Sequence, residues 1–214
     1  MLLYKYKSLE NLWHVVDMVV NQRLYCCSWQ ELNDPLEGRY EIYLGKKSKK
    51  IESIMQGRIE EARNALRIAS LSKDVTNFLM WSHYANGHKG IAVEVEISED
   101  DPELYEVTYS SFSSVFTEKE QTLLNMQHLF NAKTEEWAYE EEYRVITSSK
   151  HFKLSEPVKR IYLGPQVPRE RAVLLKRILP STCELVETEL NRDQGTLKVL
   201  SPNNRFHATG YAGA

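Results

Sequence analysis

Three charged side chains stand two residues apart in the segment Trp137-Ala-Tyr-Glu-Glu-Glu-Tyr-Arg-Val-Ile146. If this segment is a β-strand, Glu140, Glu142 and Arg144 point to the same face, because side chains alternate along a strand. Two carboxylates and a guanidinium in one row form either a solvated strand face or a set of catalytic charges in a cleft. The flanking residues are aromatic or apolar, and charges in such surroundings need partners or a chemical task. The sequence leaves these two interpretations open.

A second group of polar and aromatic side chains stands between Asn77 and Gly90. Its spacing predicts a short helix over 77–84, on which Asn77, Trp81 and Tyr84 share one face. Such aromatic residues either pack in the core or line a pocket where they stack on a ligand. Both interpretations stay open.

Two histidines of the same stretch are candidates for contact with a ligand. His83 and His88 are five residues apart, which is poor spacing for two metal ligands on one helix, and no third ligand has a recognisable spacing. We therefore expect no metal here. A histidine that orients a substrate or shapes its pocket fits the pattern better.

The third group is the turn Asn33-Asp34-Pro35-Leu36-Glu37. Pro35 disfavours helix at the residue before it, and the side chains of Asn33 and Asp34 can bond to nearby backbone amides. The turn therefore either joins two elements or places Asn33 and Asp34 on the wall of a cleft.

Sequence patterns also predict the elements that must position these groups. Strands are expected at Leu2–Lys7, Arg23–Ser28, Ile68–Ser72, Gly90–Ile97, Leu104–Tyr109, Lys159–Leu163, Glu184–Glu189 and Thr196–Leu200. Helices are expected after Ser8 and within 46–67, 77–84, 117–133 and 169–179. The apolar face of the first helix is expected to consist of Leu9, Leu12, Trp13, Val16 and Val20.

Strands and helices mix along the chain without a regular βαβ alternation. This order predicts one α+β domain over residues 1–200, with a largely antiparallel or mixed sheet. A polar, loosely held tail is expected over residues 201–214.

Composition and charge are ordinary for a globular protein. The 214 residues are 42% hydrophobic and 27% charged, and the formal net charge is −3, which argues against a general nucleic-acid coat protein. The three cysteines show no zinc-site spacing, and the adjacent Cys26 and Cys27 are poorly placed to bridge, which indicates a reducing compartment such as the cytoplasm. No apolar run is long enough for a membrane span, so we expect no membrane association.

Four common catalytic signatures are absent from the chain: G-x-G-x-x-G, G-x-x-x-x-G-K-[ST], G-x-S-x-G and H-E-x-x-H. A Rossmann dehydrogenase, a P-loop nucleotide hydrolase, an α/β-hydrolase and a zinc protease each need one of them for binding or catalysis. Any catalytic residues of this chain must therefore belong to other sequence patterns.

The order of the three groups resembles the bacterial domain of unknown function 2971 family, over residues 1 to about 165. The shared patterns are an aromatic Y-K-Y strand, an N-D-P-x-E turn, an M-W-x-H-Y stretch followed by H-x-G, and W-x-x-E-x-E-x-R. The matching residues are Tyr4, Lys5 and Tyr6; Asn33 to Glu37; Met80, Trp81, His83, Tyr84, His88 and Gly90; and Trp137, Glu140, Glu142 and Arg144. This resemblance leaves the activity open.

The layout is more distantly similar to the ADP-ribosyltransferase fold, above all to the branch that modifies nucleic acids in toxin–antitoxin and phage-defence systems. That resemblance implies two small mixed or antiparallel sheets around a cleft with flanking helices, and NAD bound there as a substrate. It also implies a nucleic-acid or protein acceptor, and an antitoxin or immunity protein as partner. In that fold a glutamate on a late strand stabilises the oxocarbenium-like ribose as nicotinamide leaves.

Carried over to this sequence, the resemblance makes Glu142 the catalytic anion and Glu140 the first member of an E-x-E pair. The residues expected to contact NAD are Tyr4, Lys5, Tyr6, Asn77, Trp81, His83 and Tyr84. Further cleft residues are Asn33, Asp34, His88 and Arg144. The first strand lacks the Arg or His that the fold usually presents to the nucleotide.

Two other functions stay open. A non-catalytic module would use the same polar cleft to bind a small ligand, a protein or RNA. A carboxylate-dependent hydrolase, for example a glycosidase or nuclease, would use Glu140 and Glu142, which stand about 6–7 Å apart if they lie on one strand. That separation lies between the retaining and inverting geometries of glycosidases and favours neither.

Overall fold

The computed structural model describes residues 1–38, 40–43, 49–110, 114–117, 127–191 and 193–200. Within these residues the α-helices are α1 (Leu12–Val20), α2 (Lys49–Ala65), α3 (Phe78–Tyr84) and α4 (Arg169–Ile178). The first seven strands are β1 (Leu2–Lys7), β2 (Arg23–Tyr25), β3 (Tyr40–Tyr43), β4 (Arg67–Ser72), β5 (Ile91–Glu96), β6 (Leu104–Glu106) and β7 (Thr108–Tyr109). They are followed by β8 (Ser114–Thr117), β9 (Ala132–Lys133), β10 (Glu142–Thr147), β11 (His151–Lys153), β12 (Arg160–Leu163), β13 (Glu184–Asn191) and β14 (Thr196–Val199).

Eight of these strands form the main sheet, in the order β14-β13-β12-β5-β1-β4-β10-β6. Every neighbouring pair in it is antiparallel except β12 and β13, which α4 connects as a crossover. The pairs β2/β11, β3/β8 and β7/β9 lie outside this sheet. The prediction of an α+β domain with a largely antiparallel sheet is confirmed.

The main sheet has a weak joint between β1 and β4. These two strands share one residue pair, Tyr4 with Ser72, whereas β1 and β5 share six pairs and so do β4 and β10. The sheet is therefore continuous in order but divided into a half of five strands and a half of three. The expectation of two small sheets around a cleft is therefore wrong, because a single eight-stranded sheet carries both halves, and a cleft opens at the joint between them.

Side chains of β1 alternate between two cores. Leu3 belongs to the hydrophobic cluster that includes Val15 and Met18 of α1. Tyr6 faces the other side, where its ring meets the ring of Trp81 edge-on at 5.2 Å. Because the strand period is two, Lys5 lies on the face of Leu3, opposite the tyrosines.

The predicted apolar face is correct for Leu9 and Leu12, which pack against the core, and wrong for Trp13 and Val20, which are exposed. The helix begins at Leu12 and buries Val15, Met18 and Val19, whereas Trp13 is 78% exposed. Both sets of residues are spaced at helical intervals, and packing against the sheet selects one of them.

The helix predicted over 117–133 is also wrong where the structure describes it. Gln127–Phe130 forms a short 3₁₀ helix, and β9 pairs in parallel with β7. Pairing with a distant strand replaces local helical bonds there. Residues 118–126 and the predicted tail 201–214 lie outside the described residues.

Candidate functional site

The acidic segment is not one continuous strand, contrary to the sequence prediction. Glu135–Glu140 forms a 3₁₀ helix, Glu141 adopts a left-handed conformation with φ of 42°, and β10 begins at Glu142. Left-handed φ is uncommon for a residue other than glycine, and here it turns the chain sharply between the two carboxylates. Glu140 and Glu142 therefore reach the same place from two different elements.

The two carboxylates meet on a lysine that precedes the 3₁₀ helix. Lys133 Nζ lies 2.5 Å from Glu140 Oε2, 3.3 Å from Glu142 Oε2 and 3.5 Å from Glu37 Oε1. All four side chains are almost completely buried. The ammonium thus lies among three carboxylates.

Arg144 holds the opposite side of this group. Its Nε and Nη2 atoms donate to Glu142 Oε1 and Oε2 at 2.7 and 2.9 Å, which is the strong two-pronged geometry. Its Nη1 donates to the carbonyl of Phe130 at 2.6 Å and lies 2.9 Å from Glu37 Oε2. The Glu37 contact is ionic, with angles that fall short of a hydrogen bond.

We call Glu37, Lys133, Glu140, Glu142 and Arg144 the charge cluster. With every group ionised it holds three negative and two positive charges, a net charge of −1. Burial opposes ionisation of Glu142, but Arg144 and then Lys133 outweigh it and lower the pKa to about 2. Burial dominates at Glu140 and Glu37 and raises the pKa of both, although their cationic neighbours oppose it. Glu140 and Glu37 are therefore the carboxylates of the cluster that bind a proton more readily than an ordinary glutamate does.

Tyr84 connects the cluster to the protein surface. Its hydroxyl donates to Glu140 Oε1 at 2.5 Å and accepts from Asn33 Nδ2 at 2.8 Å. Burial, and next the bond to Glu140, raises the pKa of Tyr84, so the phenol keeps its proton. The N-D-P-x-E turn thus reaches the cluster twice, through Asn33 at the rim and Glu37 inside.

A small cleft of about 60 Å³ opens above these side chains, at the joint between β1 and β4. Its lining includes Tyr4, Tyr6, Asn33, Tyr84, Lys133, Glu140 and Glu142. Lys5 also borders it, and its ammonium donates to the carbonyl of Ser70 at 2.7 Å. That bond satisfies a backbone acceptor of β4 where β1 has diverged from it.

Contacts at the N-terminus of helix α3 hold the helix in place and thereby position Tyr84, its last residue. Asn77 caps the helix, because its Oδ1 accepts from the backbone amides of Leu79 and Met80. Its Nδ2 donates to the carbonyl of Tyr139 at 2.6 Å, which joins α3 to the 3₁₀ helix that carries Glu140. His83 Nδ1 lies 3.0 Å from the hydroxyl of Tyr139 and supports the same contact from the exposed side.

Six predicted site residues do not line the cleft: Asn77 and His83, which hold α3 against the 3₁₀ helix, and four others, Asp34, Trp81, His88 and Arg144. Trp81 is fully buried and its indole donates to the carbonyl of Val75, so the ring packs in the core. His88 is buried against Ser82, 2.9 Å from its hydroxyl, and Asp34 caps its own turn by accepting from the amide of Leu36. Arg144 is fully buried beneath Glu142.

Sequence reasoning missed Lys133 and Tyr109 and left Glu37 as a turn residue. The hydroxyl of Tyr109 accepts from the backbone amide of Glu142 at 2.8 Å. The sequence could have indicated Glu37 as a site residue, because it is the acidic end of the N-D-P-x-E turn. No sequence pattern indicates Lys133 as a site residue, since its segment is predicted as helix.

The separation of the two carboxylates also differs from the strand-based expectation. Glu140 Oε2 and Glu142 Oε2 lie 2.5 and 3.3 Å from the same nitrogen, so they are no more than 5.8 Å apart.

Among the described residues, no set of three or more His, Cys, Asp or Glu side chains is arranged to hold a metal ion. None of the described helices combines the length and apolar character needed to cross a membrane.

A family model matches a part of the chain that contains most of α3 and every residue of the charge cluster except Glu37. Neither the curated proteins nor the solved structures include a significant match. Residues 80–145 match the family described as "Protein of unknown function (DUF2971)", and this match supports the family resemblance carried by the Met80–Gly90 and Trp137–Arg144 patterns.

Proposed function

We propose that the protein is an NAD-dependent ADP-ribosyltransferase that breaks the bond between nicotinamide and ribose. The observation that carries the proposal is that carboxylates outnumber cations, three to two, in the buried charge cluster beneath a cleft lined by tyrosines. A buried excess of negative charge favours a positively charged species above it. Loss of nicotinamide creates such a species, because the ribose becomes oxocarbenium-like in the transition state.

Glu142 is suited to supply the fixed anion. Its pKa of about 2 keeps it ionised at any physiological pH, and the guanidinium of Arg144 holds both oxygens in place. A charge that is already oriented needs no rearrangement when the transition state forms. Glu142 would therefore stabilise the ribose cation more than the neutral bound ribose.

Glu140 and Tyr84 are suited to handle the proton of the acceptor. The raised pKa of Glu140 makes it a better base than an ordinary carboxylate, and Tyr84 bonds to one of its oxygens at the cleft rim. In the transfer, the acceptor oxygen or nitrogen bonds to the ribose C1 and its proton passes to Glu140. Nicotinamide leaves with the electrons of the broken bond. The acceptor would be nucleic acid or protein, and an antitoxin-type protein would be the natural means of restraining the activity.

A second candidate, a glycoside hydrolase, is favoured by one observation. The pKa values of Glu140 and Glu142 are shifted in opposite directions, which is the arrangement of a catalytic acid and its anionic partner. Their separation of at most 5.8 Å agrees better with retaining than with inverting geometry. However, the ammonium of Lys133 lies between the two carboxylates, where the sugar would have to enter.

A non-catalytic binding module is the third candidate. It is favoured by the burial of both carboxylates, which are only 2% and 3% exposed and bonded to cations. In that case the charge cluster would stabilise the joint of the sheet, and the cleft would bind a ligand without turnover.

The test is the release of labelled nicotinamide from NAD by the purified protein, with RNA, single-stranded DNA and protein supplied as acceptors. The variant Glu142→Gln keeps the size of the side chain and removes its charge. We expect its rate to fall by about 10²–10³-fold, as when one electrostatic partner of a transition state is lost. Thermal unfolding of each variant shows that it is folded.

The matched control is Glu94→Gln. Glu94 is also buried and also bonded to an arginine, with Arg160 Nε at 2.8 Å, but it lies outside the cleft. Its substitution should leave nicotinamide release within about threefold of wild type. Equal rates for wild type and Glu142→Gln would remove Glu142 from catalysis, and NAD left intact with every acceptor would favour the binding module.

A further inference from the structure

A second cavity lies on the opposite face of β1 from the tyrosine cleft. It has a volume of about 240 Å³ and is enclosed by β1, α1 and the β2/β11 pair. Its main polar and aromatic lining residues are Lys5, Lys7, Trp13, His14, Tyr25 and His151. Strand alternation explains the separation, because Lys5 and Lys7 point away from the face that carries Tyr4 and Tyr6.

The charge of this cavity is positive and only partly compensated, because Glu142 favours the charged form of Lys5 but is outweighed by burial and by Lys7. Among the described residues, no carboxylate forms an ion pair with Lys5 or Lys7. Asp17 also lines the cavity, but Arg23 holds it with three bonds of 2.7–3.2 Å and Asn21 adds a fourth. With neutral histidines the two lysines, Arg23 and Asp17 sum to +2.

The pKa values of both lysines are lowered, because their charged forms are unfavourable in this cavity. Burial, and next the neighbouring Lys7, lowers the pKa of Lys5 to about 8. Burial also lowers the pKa of Lys7. An anion in the cavity would stabilise the charged form of both side chains.

Aromatic rings line the cavity beside the lysines. Trp13 is 78% exposed and Tyr25 is 45% exposed, which is unusual for large apolar side chains. The rings of His14 and Tyr25 are nearly parallel, with centroids 6.5 Å apart, and His151 meets Tyr25 edge-on at 6.0 Å. Exposed rings next to cationic side chains are the combination that binds a base together with its phosphate.

We propose that this cavity binds a nucleotide, with its phosphate near Lys7 and Lys5 and its base stacked on Trp13 and Tyr25. The nucleotide is either a free mononucleotide or a residue of a single strand, since the two present the same phosphate and base. The site lies on the other face of β1 from the charge cluster, with Lys5 bordering both cavities, and it stands whether or not the protein cleaves NAD.

Isothermal titration calorimetry with AMP, adenosine, inorganic phosphate and a single-stranded ten-residue oligonucleotide tests the proposal. We expect AMP to bind at least tenfold more tightly than adenosine or phosphate, because neither fragment uses both parts of the site. The variant Lys7→Gln should weaken AMP binding about tenfold or more, since it removes a charge-assisted bond to phosphate. Trp13→Ala should also weaken it about tenfold, whereas Trp13→Phe should stay within about threefold of wild type.

The matched control is Lys89→Gln, an exposed lysine that lines neither cavity, and its AMP affinity should equal that of wild type. Tighter binding of the oligonucleotide than of AMP, with a steep dependence on salt, would identify a single strand as the source. Equal or weaker binding would identify a free mononucleotide, and both outcomes support the site. Failure of AMP and oligonucleotide to bind at millimolar concentration would overturn the proposal. Unchanged AMP affinity in both Lys7→Gln and the surface variant Trp13→Ala would overturn it as well.

Discussion

At the scale of single residues, Lys133 decides the character of the candidate site. Its ammonium lies within 3.5 Å of Glu37, Glu140 and Glu142, so one positive charge is shared among three carboxylates. Buried charges of this kind are stable only as a complete set, because removal of one partner leaves another uncompensated in a medium of low polarity. The charge cluster is therefore a single unit.

The pKa of Glu142 leads to a prediction about stability and pH. The folded state lowers this pKa from the ordinary 4.5 to about 2, so ionised Glu142 stabilises the fold above pH 4.5. That contribution, about 3 kcal/mol, disappears as the pH falls from 4.5 to 2. In urea unfolding, wild type should exceed Glu142→Gln in the free energy of unfolding at pH 7, and the gap should shrink by about this amount at pH 2.

Comparison of the two proteins is essential because other cluster carboxylates act in the opposite direction. The raised pKa values of Glu37 and Glu140 mean that the folded state binds their protons more readily, which stabilises the fold as the pH falls. The charge of Glu142 contributes to both raised pKa values, so Glu142→Gln weakens their effect, and the shrinking of the gap is the sum of the two changes. A gap between wild type and Glu142→Gln that stays constant from pH 7 to pH 2 would contradict the pKa assigned to Glu142.

At the scale of elements, the short helix α3 is anchored by one side chain. Asn77 caps its N-terminus and also bonds to the carbonyl of Tyr139 in the 3₁₀ helix before Glu140. Seven residues form a marginal helix alone, so these contacts determine where its last residue, Tyr84, is held. The cap therefore acts on the cleft through Tyr84, which bonds to Glu140.

We predict that Asn77→Ala lowers the free energy of unfolding by about 2 kcal/mol. About 1 kcal/mol comes from the lost cap and about as much from the lost bond to Tyr139. Chemical denaturation measures it. Asp101→Ala is the control, because the side chain of Asp101 also accepts from a backbone amide, that of Glu103, and forms no long-range hydrogen bond with the described residues. An equal loss in the two variants would show that the contact with Tyr139 contributes nothing.

At the scale of the whole molecule, both cavities lie beside the joint between β1 and β4. On one side of β1 it opens the tyrosine cleft, and on the other Lys5 borders the second cavity. One strand pair and the bond from Lys5 to the carbonyl of Ser70 cross the joint, and the hydroxyl of Tyr6 bonds to the carbonyl of Asp74 just beyond β4. This is therefore the part of the sheet where the two halves separate most easily.

We predict that Lys5→Met increases hydrogen exchange in peptides that cover β4 by about tenfold, because a hydrogen bond across the joint is lost. Exchange in β12 and β13, inside the five-stranded half, should not change. Lys7→Met provides the control, since Lys7 lies on the same face of β1 and its side chain bonds to no described residue. Mass spectrometry of the exchanged peptides would reject the role of Lys5 if β4 exchanged at the same rate in both variants.

The sequence by itself determined much of the local structure. Alternating and helical patterns correctly predicted β1, β5, β12, α3 and α4, because these elements carry their own periodicity. The same patterns selected Glu140, Glu142, Tyr84 and Asn33, which the structure brings together at one cleft. Alternation by itself does not distinguish a solvated row from a row of charges facing a cleft, since it reports which side chains share a face and not what covers that face.

Only the tertiary structure decided that the acidic residues are buried and what neutralises them. Glu37, Lys133 and Glu142 come from three separate segments, and no local pattern encodes their meeting, which depends on how β9, β10 and the N-D-P-x-E turn pack together. The left-handed residue Glu141 is a further example, because tertiary contacts hold a conformation that glutamate alone rarely adopts. Local residue types therefore specified the groups available for chemistry, whereas long-range packing made them a net negative cluster beneath a cleft.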